Sequence, residues 1–493
     1  MAAKHDGTVT TMYPKNYSAD PSDGEDGHVI TIDRAKEKKL VRKLDLHIIP
    51  VVMLLYLLSF LDRVNIGNAR LYGLEEDLGL SSSQFQTAVS ILFVTYVLAE
   101  LPSNLILKGY VRPSRWIAFI TVSWGIIATL TGVVQSYAGL IVCRLLLGWV
   151  EGGLFPGAAV YLTFFYTKHE LALRIGYLFV SAALAGACGG LLAYGIGFMD
   201  GVAGQRGWRW IIIIEGLPTL LLGIACWWIL ADDPETAYYL NDGEKEMIRA
   251  RRARQTGHVD VFEWKDVRKG LKDWKIWAFC AGQFCMDTML YGFSTFLPTI
   301  ILAIRPESSR TIVQVLTVPV YTVGALSYMA AARYSDWRQS RGPVAIFFSL
   351  IAVVGYAMLM SNASSGVHFA GCFLVAMGLY VAVGIPLAWL PSNNPRYGKR
   401  TTAIGLQLTI GNCSGIMAPF LYPSSEGPRY LKGHGVTMAL VALGTVLYGI
   451  MYAYFTRENK VRAAGRRDAV TQGMTEEESL ALGDENPKFV FAA

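Results

Sequence analysis

Along its length the chain alternates between apolar blocks of about twenty residues and short polar connectors. Twenty helical residues, at 1.5 Å each, match the roughly 30 Å hydrocarbon core of a bilayer. The blocks predict helices at about 46–69, 84–107, 116–136, 138–166, 174–198 and 208–231, then at about 276–302, 313–333, 344–361, 367–391, 402–422 and 435–456. One polar stretch between them, 232–275, is long, and it divides the twelve into six and six. The pattern predicts an all-α membrane protein: a polar tail over 1–45, bundles over 46–231 and 276–456, a central loop over 232–275 and a second tail over 457–493. The first tail mixes Gly, Pro, Ser and Asp and reads as disordered. No cleavable signal peptide precedes the first block.

Composition agrees with lipid as the main solvent. Hydrophobic residues make up 53% of the 493 and charged residues 17%, against about 45–50% and about 25% in soluble chains. A net charge of +6 would suit nucleic acid, but its distribution excludes that partner. The basic residues sit in connectors on alternate sides of the blocks. One side carries Arg34, Lys36, Lys38, Lys39, Arg42 and Lys43, then Lys108, Arg112, Arg115, Lys168, Arg338, Arg341, Arg396, Lys399 and Arg400. The other side has fewer, chiefly Arg70, Arg206, Arg305, Arg310, Arg429 and Lys432. The positive-inside rule then makes both termini cytoplasmic, in keeping with an even helix count. Within the central loop, EKEMIRARRAR has the spacing of an amphipathic helix, lying on anionic lipid or solvated.

The seven cysteines all fall inside apolar blocks and none forms a CxxC pair, so neither a zinc site nor a disulfide framework is indicated. The seven histidines lie in loops, tails and helix ends, without an HxxxH or Cys/His set. With no nucleophile, base and metal ligand gathered at one depth, an enzyme is not expected, and neither is a cofactor or metal.

Ionisable residues inside apolar blocks carry the functional signal, because each costs roughly 2.5–3.5 kcal/mol near a helix centre. The first block holds Asp62 and Arg63 side by side. The fourth holds Arg144 and Glu151, seven residues and almost two turns apart, on one face. In lipid these groups either pair to hold helices together or line a polar site. In the second case an arginine grips a carboxylate as a bidentate fork and the acids carry protons. Glu100 and Glu215 read as helix-end or inter-helix groups, and Asp287 as a partner for a cavity cation. Tyr96, Trp389, Asn393, Asn394 and Asn412 offer an aromatic and amide lining suited to a planar acid. Gly and Pro clusters at 152–157 and 381–391 occupy corresponding fourth blocks of the two halves, where interrupted helices mark a site or gate.

The halves also echo one another: LKGYVRPSR follows the second block and RYSDWRQSRG the eighth. These loops resemble the conserved loop of the major facilitator superfamily, the second copy keeping Asp336, Arg338 and Arg341. RVNIGNA in the first block and RLLLGWVEGGLFP in the fourth resemble the signatures of its anion:cation symporter branch. RWIIIIEGLP, AWLPSNNPRYGKRTTAIGLQLTIGNCSGIMAP and PRYLKGH are similar to the fungal allantoate permease family. VFEWKDVRKGLKDWKIWA, FLPTII, LTVPVY and ENPKF resemble its high-affinity nicotinate permease-like members. The resemblance implies a major facilitator fold and a proton-coupled symporter of a small organic anion, a carboxylate such as nicotinate, working as a monomer in the plasma membrane. It implies substrate contact at Arg63 with Arg144 as the second arginine, proton coupling at Asp62 and Glu151, and gating at Asp336, Arg338 and Arg341. An exporter of a carboxylated metabolite or a non-transporting nutrient sensor would share the fold.

Overall fold

In the computed structural model the described residues are 34–109, 111–253, 263–475, 478–479 and 482–493. They fold into helices without a strand. Twelve are long and apolar enough to cross a membrane. The first six are α1 (Arg34–Leu71), α2 (Ser82–Gly109), α3 (Pro113–Thr131), α4 (Tyr137–Thr163), α5 (Lys168–Gly197) and α6 (Gly207–Ile229). Two connector helices follow, α7 (Asp242–Ala253) and α8 (Trp264–Lys272). The second six are α9 (Trp274–Ile304), α10 (Arg310–Arg338), α11 (Gly342–Met360), α12 (Ser365–Ser392), α13 (Tyr397–Met417) and α14 (Leu431–Ala463).

Two helices outrun the apolar pattern. Of the tail expected over 1–45, residues 1–33 lie outside the described residues, while 34–45 are already helical. That polar extension is held by charge: Glu37 pairs with Arg251 of α7 at 2.9 Å, Lys43 with Glu244 at 2.8 Å, and Asp45 with Arg174 of α5 at 2.7 Å. Hydropathy marks where a helix is apolar; ion pairs decide how far it continues. At the other end α14 runs on to Ala463, and the residues after it double back onto the second bundle.

The expected break in the fourth span is present. Ser136 caps α4 by accepting from the Gly139 amide at 3.2 Å, and the helix is interrupted at Gly152–Gly153 before resuming at Leu154. Its counterpart is continuous: α12 passes through Pro386 and Pro391 without a break, since buried neighbours in a bundle let a helix absorb proline. The glycine face of α5 packs on α10 as small residues in membranes do. A Cβ on Gly186 would lie 2.6 Å from the Tyr321 ring, and one on Gly190 2.3 Å from Thr317 Oγ1.

Because each bundle has six spans, the starts of α1 and α9 and the end of α14, with the described tail after it, share one end of the molecule. Near the opposite end the halves meet closely. A Cβ on Gly67 of α1 would fall 1.9 Å from the Thr295 carbonyl oxygen of α9. Ser90 donates to the Ile416 carbonyl at 2.7 Å, Arg70 donates to Ser424, and the Ser424 amide donates to Ser82 at 3.1 Å. The connector divides between the halves. Its α7 holds the first bundle through the pairs above, and Asp266 of α8 pairs with Arg396 of the second at 2.8 Å.

Candidate functional site

Successive residues of a helix point about 100° apart, so Asp62 and Arg63 leave α1 in different directions. Arg63 turns toward the seam between the halves. Its guanidinium lies 4.6 Å from the centre of the Tyr96 ring and 5.1 Å from that of Phe60. Its Nε donates to Glu151 Oε1 at 2.8 Å, its Nη2 stands in an ion pair 2.8 Å from that oxygen, and Ser59 Oγ, one turn earlier on α1, donates to the same oxygen. The second oxygen, Glu151 Oε2, is buried without a hydrogen-bond partner.

Asp62 turns into the first bundle, where the Trp124 indole N–H of α3 donates to it. Arg144 lies on that side too. It is 4% exposed, its Nε has no partner, and Asp62 and Glu151 are the opposite charges acting on it. Glu215, read from sequence as a helix-end or inter-helix group, sits well inside α6. It is 2% exposed, both oxygens lack partners, and Asp62 is the charge nearest it in effect. Three carboxyls and two guanidiniums are thus buried on the inner faces of the first bundle, where a charge without a partner is costly.

The second bundle faces Arg63 with amides and phenols. Tyr291 of α9 packs on Phe93 at 4.5 Å between ring centres and donates to Asn412 Oδ1 of α13 at 2.6 Å. One turn back on α9, Asp287 accepts from Gln283 Nε2 at 2.8 Å, and Gln407 donates to Gln283 at 3.1 Å. Across the seam Thr409 of α13 donates to Glu100 of α2 at 3.3 Å.

Of the residues expected to bind substrate, the structure brings together Arg63, Tyr96 and Asn412, with Arg144 behind Glu151. It does not bring Trp389 and Asn393 to them. Trp389 is fully buried among Phe279, Tyr448 and Phe455, and its indole donates to the Ala492 carbonyl at 2.7 Å. Asn393 exchanges hydrogen bonds with the Ala492 backbone at 2.7 and 3.0 Å. An apolar or amide residue near a helix end reads the same from sequence whether it faces a cavity or a returning tail. The trio expected to gate also divides. Asp336 and Arg338 are exposed, Arg338 stacking on Trp337, while Arg341 donates to the Ala388 carbonyl and to Ser392 at the end of α12. Sequence reading passed over Tyr56, Ser59, Trp124, Gln283, Tyr291 and Gln407. The signal was present in the spacing: Tyr56 and Arg63 are seven apart, and Gln283, Asp287 and Tyr291 are four apart in an apolar run.

The Major Facilitator Superfamily matches residues 52–419. An uncharacterised transporter of Schizosaccharomyces pombe is 39% identical over 94% of this chain and 92% of its own. A high-affinity nicotinic acid transporter of Saccharomyces cerevisiae is 33% identical over 92% of this chain and 85% of its own. Among solved structures, a bacterial homologue of the human lysosomal transporter Spinster has a TM-score of 0.63 at 16% identity, covering 85% of this chain and 97% of that one.

Proposed function

Because the chain belongs to the Major Facilitator Superfamily and is similar along its length to named transporters, we propose that it is a proton-coupled symporter of a small organic anion, a carboxylate such as nicotinate. The observation that carries this is the Arg63–Glu151 pair at the seam. While Glu151 is ionised it occupies the Arg63 guanidinium, which lies over Tyr96. A proton on Glu151 removes that claim, and the freed guanidinium takes the substrate carboxylate through both edge nitrogens, a bidentate grip that Glu151, held by one oxygen, does not make. Proton and anion then load together, with the count of buried charges unchanged. Asp62 and Arg144 hold the local field behind the pair, and Tyr96 and Asn412 line the place where the substrate's body lies. Asp336, Arg338 and Arg341 act at the end where the tail lies, which on this reading is the cytoplasmic face of the plasma membrane. A single chain suffices.

The test is uptake of labelled nicotinate and other carboxylates into vesicles under an imposed pH gradient. Arg63→Ala abolishes uptake. Glu151→Gln retains exchange of substrate across the membrane but loses accumulation driven by the gradient. Equal accumulation with and without the gradient removes the symport reading.

A further inference from the structure

We propose that Asp287 is the second anchor of the transported molecule, accepting a hydrogen bond from an N–H group while Arg63 holds the carboxylate. The inference rests on the carboxylate reading above and narrows its substrate class to ring-sized planar acids that carry an N–H donor on the edge away from the carboxylate, ranking them above nicotinate, whose ring nitrogen only accepts.

The placement comes from helix geometry. Helices α1 and α9 start at the same end and touch where Gly67 meets Thr295. Arg63 is one turn before that contact on α1, and Asp287 two turns before it on α9. Asp287 therefore lies about 6 Å further along the bundle, toward the end bearing the tail. Aromatic residues flank both: by the same count Tyr291 stands level with Arg63, and Tyr56 lies about 4–5 Å beyond Asp287. Tyr56, two turns from Arg63 on one face of α1, and Tyr291, one turn from Asp287 on α9, are each within electrostatic reach of both charges. Tyr96 and Phe93 complete the wall on the first bundle through their contacts with Arg63 and Tyr291. A cation and an anion at two levels of one aromatic seam match a ligand that is itself a dipole.

Asp287 is also a built position. It is 6% exposed, and among the described residues it has no ion pair; its side-chain partner is the Gln283 amide, itself held by Gln407. A buried acid without a cation is costly unless something supplies a proton donor. The backbone leaves room for it by omission: a Cβ on Gly411 would fall 2.2 Å from Asp287 Oδ2. Glu151 has a resident arginine. Asp287 has the Gln283 amide on Oδ1 and no cation among the described residues, and on this proposal the donor to its second oxygen arrives with the ligand.

Binding of matched ligands to the purified full-length protein, read as melting-temperature shifts against concentration, tests this with 3-aminobenzoate, benzoate and 3-aminobenzamide. In the wild type 3-aminobenzoate binds at least about tenfold tighter than benzoate, because a site built to bond a donor discriminates against its absence. Asp287→Leu removes that preference while leaving benzoate within about threefold of its wild-type affinity. Gly411→Ala, which displaces the carboxylate without deleting it, acts in the same direction and decides the matter if the Leu variant does not fold. Equal wild-type affinities for the two acids, or equal weakening of both by the substitutions, overturns the anchor and leaves the carboxylate reading standing. If 3-aminobenzamide binds as tightly as 3-aminobenzoate, the carboxylate reading itself falls, and the anchor with it.

Discussion

Asp62 and Arg63 show how one peptide bond separates two roles. Arg63 meets Glu151 and Tyr96 at the seam, while Asp62 accepts from Trp124 inside the first bundle and balances Arg144. Removing one member of a buried charge set costs about 3–5 kcal/mol, because the remaining charge is left without compensation. Arg144→Leu is therefore expected to lower the melting temperature sharply. The double variant Asp62→Asn with Arg144→Leu restores the balance of charge and recovers much of the loss. Thermal unfolding of the two single variants and the double, read as a cycle, checks this. Additive losses would show that Asp62 and Arg144 do not share a field.

At the scale of elements, the path between the halves is set by how closely helices approach, and on α5 glycine spacing sets it. Gly190 has no room for a side chain, with Thr317 Oγ1 2.3 Å and the Gln314 carbonyl 2.9 Å from a built Cβ. Gly195, less than two turns away on the same helix, has nothing within 4 Å. Gly190→Leu is expected to force α5 from α10 and open the seam near the end remote from the tail; Gly195→Leu leaves it shut. Thiol labelling of a cysteine placed at Thr317, buried on α10 against Gly190, checks this: labelling rises in the first variant and not in the second. In the sequence of α5, Gly186, Gly189, Gly190, Gly195 and Gly197 mark a helix that packs closely on neighbours rather than on lipid. Its partner was not legible, because a periodic pattern of small residues states that something approaches closely and not which helix does.

For the whole molecule, the twelve spans, their division into six and six and the presence of Asp62, Arg63, Arg144 and Glu151 inside the first bundle were legible, since hydropathy and intramembrane charge are local properties. The sequence-based boundaries failed where polar residues extend helices through distant ion pairs, as Glu37 and Lys43 do. Trp389 and Asn393 were misplaced for a related reason: their partners lie about a hundred residues away, in a tail whose polar composition gives no sign of a fold. That tail ties down the end of the second bundle. Asp484 pairs with Lys275 at 2.7 Å and Lys399 at 2.8 Å, Asn459 exchanges hydrogen bonds with Phe491 at 2.8 and 2.9 Å, and Arg462 donates to the Asp484, Asn486 and Phe489 carbonyls at 2.9 Å. Burial alone would raise the Asp484 carboxyl, but the two lysines outweigh it and hold the carboxyl below the usual range. A group lowered in this way stabilises the docked tail fully above the ordinary carboxylate value of about 4, and the contribution is lost as pH falls through the lowered one. The tail is thus expected to stay docked across the whole physiological range and to loosen only in strong acid. Asp484→Asn brings that loosening to neutral pH, since it removes a charge-assisted bond of about 1.5–3 kcal/mol. Hydrogen exchange at the Phe491 and Ala492 amides then quickens by about tenfold or more at pH 7. Unchanged protection in the variant would mean that the aromatic contacts of Phe491 with Phe455 and Phe489 hold the tail without the charge.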